Sequence, residues 1–141
     1  MNGSTASTIL VVDDDEDYRQ MMRFALEREG YRTYEATNGI HAVQLAQQIQ
    51  PALILMDLSM PVLDGKLAAE QIRQEPALRG VPIIFISGFG DLGMDLYQSI
   101  DTLGYGPVEY LAKPLSDFPV LLKLIRDLLN RGATEATTNI G

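Results

Sequence analysis

The chain has 141 residues, 46% hydrophobic and 21% charged, which is enough for one domain with a proper core. Its net charge of -8 argues against a nucleic-acid surface, because phosphate contacts need clustered Lys and Arg. The absence of cysteine excludes disulfides and thiolate metal sites. No apolar run reaches membrane-spanning length and the N-terminus has no signal-peptide pattern, so the expectation is a cytoplasmic protein with no membrane partner.

Residues 1–7 are small and polar and are expected to be disordered. Thr8 to Val12 is a β-branched run, the first predicted strand, and it ends in the acidic stretch Asp13 to Asp17. Tyr18, Met21, Met22, Ala25 and Leu26 then recur at helical spacing, and both methionines are assigned to the core. Gly30 stops this helix. Tyr31 to Ala36 alternates as a second strand, and Asn38-Gly39 marks a turn. Ala42, Leu45, Ala46 and Ile49 mark a second helix, which ends before Pro51, and the lone histidine, His41, falls on its polar face.

Leu53 to Met56 is a continuous apolar run that ends in Asp57, the pattern of a buried parallel strand. Gly65 to about Glu75 is helical, with Leu67, Ala68 and Ile72 as its buried positions. Val81 to Ile86 forms the fourth strand, ending at Ser87-Gly88, and a fourth helix lies between Asp91 and Leu103. Val108 to Ala112 is the fifth strand, ending at Lys113-Pro114. Phe118, Leu121, Leu122, Ile125, Leu128 and Leu129 give the clearest amphipathic helix. The domain is expected to span 8–130, with 131–141 a disordered tail.

Strands and helices alternate five times. This implies a flavodoxin-like, doubly wound five-stranded parallel sheet of order 2-1-3-4-5 with five helices. In such a sheet the chemistry lies beyond the carboxyl ends of the strands. The ends are Asp13 and Asp14, Asp57, Ser87 and Lys113. Singly, each has an ordinary reading as a turn former, a helix cap or a surface lysine. Together they place carboxylates, a hydroxyl and a cation around one crevice. Carboxylates this close repel unless a hard divalent cation joins them, and Mg²⁺ suits an all-oxygen site. With Asp57 as nucleophile, Lys113 as point charge and Ser87 as donor, the set suits phosphoryl transfer.

These residues carry a resemblance. Val11-Val12-Asp13-Asp14, Met56-Asp57 with Met60-Pro61 and Asp64-Gly65, Ile86-Ser87-Gly88, and Tyr110-Leu111-Ala112-Lys113-Pro114 resemble the receiver domain of two-component response regulators, CheY-like in type. The resemblance implies that Asp57 accepts a phosphoryl group from a sensor histidine kinase or histidine phosphotransfer protein. It implies Mg²⁺ held by Asp13, Asp14, Asp57 and the backbone carbonyl of Ser59. It makes Ser87 and Tyr110 the switch residues, pairs Lys113 with the phosphoryl group, and makes Lys113–Pro114 a cis peptide. Among three consecutive aspartates, Asp13 and Asp14 directly follow the strand and take the metal role, which leaves Asp15 to start the helix. The Ser87–Lys113 segment is longer and richer in glycine than the family pattern.

The expected function is a phosphorylation switch whose helix 4/strand 5 face controls a downstream protein, with no nucleic acid bound by this chain. It would not be an enzyme beyond its own phosphorylation and slow dephosphorylation. Two alternatives differ in class. A Mg²⁺-dependent aspartyl-phosphate phosphohydrolase would carry a second acid two positions after the nucleophile, where this chain has Ser59. A docking module would never be phosphorylated.

Overall fold

The computed structural model describes residues 7–57, 65–87, 108–112 and 118–140. Strands β1 (Thr8–Val12), β2 (Arg32–Ala36), β3 (Leu53–Asp57), β4 (Ile83–Ser87) and β5 (Val108–Ala112) form one sheet of order β2-β1-β3-β4-β5, as expected. All four pairings are parallel. Helices α1 (Glu16–Arg28), α2 (Gly39–Ile49), α3 (Gly65–Gln74) and α4 (Phe118–Ile140) supply the layers. The fourth helix expected from the sequence, with the glycine-rich stretch around it, lies outside the described residues, so α4 here is the chain's last helix. No helix among the described residues is long and apolar enough to cross a membrane.

Strands β1, β3 and β4 are buried on both faces, which is why they read as apolar runs. Ile9, Val11, Leu53, Leu55, Ile84 and Ile86 face one side and pack on Met22 and Leu26 of α1 and on Leu121, Ile125 and Leu128 of α4. Leu10, Val12, Ile54, Met56, Ile83 and Phe85 face the other and pack on Ala42, Val43 and Ala46 of α2 and Ala68, Ala69 and Ile72 of α3. Each large aliphatic side chain sealed this way stabilises the fold by roughly 1.5–3 kcal/mol. The alanines on α2 and α3 let those helices approach the sheet closely.

The helix starts follow local chemistry. Asp15 is the N-cap of α1, its carboxylate accepting from the amides of Asp17 and Tyr18. Asn38 caps α2 by accepting from the amide of His41. His41 is exposed, as its place on the polar face implies.

Two expectations need correction. Met21 is 44% exposed while Met22 is sealed, because the stripe of α1 that meets the sheet runs through Met22 and Leu26. Leu67 is exposed for the same kind of reason, since Ala68, Ala69 and Ile72 face the sheet. Ahead of β1, the Ser7 carbonyl accepts from the Arg32 amide at 2.9 Å. Helix α4 runs from Phe118 to Ile140.

Candidate phosphoacceptor and metal site

Register and parity bring the acids together. The pairing of Val12 with Met56 sets the residues that follow, Asp13 and Asp57, side by side at the carboxyl ends of the two neighbouring strands. Asp13 continues the side-chain alternation of Ile9 and Val11, and Asp57 that of Leu53 and Leu55. The Asp13 amide donates to the Ala36 carbonyl at 3.2 Å, which extends the ladder with β2 by one residue. Carboxylate oxygens of Asp13, Asp14 and Asp57 all lie within 4.8 Å of one another. Asp13 is 2% exposed and Asp57 5% exposed, whereas Asp14 is open to solvent. The site therefore has two acids in its floor and one at its mouth.

Supporting contacts fix these positions. The Asp13 carboxylate accepts from the Asp15 amide at 2.9 Å, which shapes the turn from β1 into α1. Arg19, on the first turn of α1, donates through Nη1 to the Asp13 carbonyl and through Nε to Glu35 on β2, each at 2.8 Å. Arg23 donates to the other Glu35 oxygen at 2.6 Å. Burial alone would raise the Glu35 pKa, but the Arg19 and Arg23 guanidiniums outweigh it and hold the carboxyl below its ordinary value. The acid site is thus tethered to the edge strand β2 through one buried arginine.

A small cavity of about 10 Å³ lies against the cluster, lined by Asp13, Asp57, Tyr18 and Met22 together with Val11, Leu55 and Ile86. The Tyr18 hydroxyl is buried. Burial, with further contributions from the Asp13 and Asp57 charges, raises the phenol's pKa well above its ordinary value. Sequence reasoning placed Tyr18 on the apolar face of α1 and missed its polar end. The available signal was a hydroxyl-bearing aromatic on the first helical turn after the acid pair. Arg19 gave no comparable signal, because its partners come from β2 and from the backbone.

The remaining expected site residues divide by position. Ser87 closes β4 opposite Ala112, whereas Tyr110 pairs with Phe85 in mid-strand, two residues short of that end. Their side chains fall outside the described residues. So do Ser59, Met60, Pro61, Asp64, Lys113 and the Lys113–Pro114 peptide. The chemistry of the acid cluster fits a hard cation: three carboxylate oxygens at mutual separations a single ion can bridge, with no nitrogen or sulfur donor among them.

A doubly wound parallel sheet with acids converging at the carboxyl ends of its central strands defines the CheY-like class of signalling domain. The response regulator receiver domain profile matches residues 9–131. The chain belongs to that family, the receiver domains of two-component response regulators. It is 33% identical over 123 residues to the DNA-binding dual master transcriptional regulator RpaA of Synechocystis sp., covering 87% of this chain and 49% of RpaA. It is 33% identical over 133 residues to the transcriptional regulatory protein SrrA of Staphylococcus aureus, covering 94% of this chain and 51% of SrrA. The chain thus spans about half the length of these curated relatives. Among solved structures, the receiver domain of the sensor histidine kinase PA1611 from Pseudomonas aeruginosa, with magnesium in its active-site cleft, superposes with a TM-score of 0.76 at 31% identity, covering 89% of this chain and 99% of that one. The chemotaxis protein CheY4 of Vibrio cholerae gives a TM-score of 0.77 at 25% identity, covering 88% and 99%.

Proposed function

We propose that this chain is the phosphoacceptor of a two-component phosphorelay and that Asp57 receives the phosphoryl group. The observation that carries this reading is the meeting of Asp13, Asp14 and Asp57 at the end of the two central strands, with Asp57 nearly sealed from water. In the transfer, the N–P bond of a phosphohistidine on a sensor kinase or phosphotransfer protein breaks. A P–O bond forms to an Asp57 carboxylate oxygen, and the histidine leaves with the electron pair. Asp13, Asp14 and Asp57 would hold Mg²⁺, joined by the Ser59 carbonyl. When bound, the ion offsets negative charge on the phosphoryl oxygens and on the acids themselves. The magnesium in the PA1611 receiver supports this assignment.

The pairing of β1 with β3 keeps the acceptor Asp57 beside Asp13. Lys113 would pair with a phosphoryl oxygen, and Ser87 and Tyr110 would respond to its arrival by moving toward it and changing rotamer. The result is a shift in a two-state equilibrium that a downstream protein partner senses. Apart from its own phosphorylation and slow dephosphorylation, the domain turns over no substrate.

The test is incubation with Mg²⁺ and acetyl phosphate, read by mass spectrometry. The expected result is at most one phosphoryl group per chain, lost in Asp57→Asn. Release of many equivalents of inorganic phosphate would instead mark a phosphohydrolase. Absence of any labelling would mark a docking module.

A further inference from the structure

Tyr18 stands apart from the other residues of the α1 core face. The Asp15 cap puts it on the first turn of the helix, directly after the acid pair. Its ring packs with the apolar cluster between α1, α4 and the sheet, yet Tyr18 also lines the cavity that Asp13 and Asp57 line, and its hydroxyl is buried. That space, about 10 Å³, holds no more than a single water. Ionised carboxylates only accept hydrogen bonds, whereas a protonated phenol donates one. Tyr18 is thus the side-chain donor among the polar residues lining this cavity, and its hydroxyl is buried whereas Asp14 is open to solvent.

We propose that Tyr18 is a positioning residue of the phosphoacceptor site, its hydroxyl acting on Asp57 across this one-water space. A donor on the inner side would orient the carboxylate and leave its outer oxygen for the metal and the incoming phosphorus. The role rests on the phosphoacceptor reading of Asp57 and deepens it.

The test compares wild type with Tyr18→Phe, which keeps the ring and removes the hydroxyl. Four quantities are measured on the full chain: the rate of Asp57 labelling by acetyl phosphate, the affinity for beryllofluoride in Mg²⁺, the affinity for Mg²⁺ alone, and the melting temperature. Labelling and beryllofluoride affinity are expected to fall about tenfold, the effect of losing one hydrogen bond to a charged group. Mg²⁺ affinity and melting temperature are expected to change little. Labelling at the wild-type rate overturns the role of Tyr18 and leaves the Asp57 reading intact. A parallel fall of all four quantities reduces Tyr18 to a packing residue and also overturns it. Should Tyr18→Phe fail to fold, Tyr18→Met restores apolar bulk without a hydroxyl and is judged by the same criteria. A wild-type chain that takes no label overturns both readings.

Discussion

Two buried acids and two buried arginines show how single residues acquire meaning from their surroundings. Asp13 and Asp57 were legible because each ends an apolar run, and a carboxylate there marks a strand's functional end. Arg19 and Arg73 were not legible. Their burial depends on backbone carbonyls that meet them only in the folded chain: Asp13 for Arg19, and Leu78 and Val81 for Arg73. Glu35 is the acid these contacts make testable. Its pKa in the folded chain lies below its unfolded value. Its ion pairs with Arg19 and Arg23 therefore add stability above the ordinary glutamate range, and that stability is lost as pH falls through the folded value. Urea unfolding of wild type and Glu35→Gln between about pH 7 and pH 3 is expected to show a shallower acid-side decline for the variant. Parallel curves would mean that Glu35 gains no net stabilisation from its arginines.

Among the elements, the strands were the easiest to read and the helix faces the hardest. Short β-branched and leucine-rich runs between turn signals leave one interpretation once five of them alternate with helices. A helical stripe is less well determined, because alanine carries little hydrophobic signal. Leu67 looked like a core residue, but Ala68 and Ala69 face the sheet. The same ambiguity put Met21 inside. The acidic run before α1 was resolved by position alone: the acids nearest the strand join the site and the third caps the helix. That division predicts separable effects. Asp15→Ala should cost about 1 kcal/mol of stability through loss of the cap, measured by urea unfolding, while Asp57 still takes label from acetyl phosphate. Loss of labelling in Asp15→Ala with stability unchanged would reverse the assignment of the three aspartates.

Considered as a whole, a molecule whose acid cluster held a cation would couple its folding to that occupancy. Three carboxylates within reach of one another oppose folding by repulsion when no cation joins them. A cation that binds only the folded chain adds stability by mass action, about 2.7 kcal/mol at a concentration a hundred times its dissociation constant. Thermal unfolding with Mg²⁺ and with chelator should therefore differ for wild type. For Asp14→Asn the difference should be small, and in chelator this variant should be at least as stable as wild type. An equal Mg²⁺ response in both proteins would place the ion elsewhere.

Asp57 is the last residue of β3, whose five residues are all buried, and that strand is hydrogen-bonded to a neighbour on each side. Such a strand works as an anvil. Its tip is held by a neighbour on each side, so a bulky, charged adduct there would bear on what surrounds the strand rather than displace the strand itself.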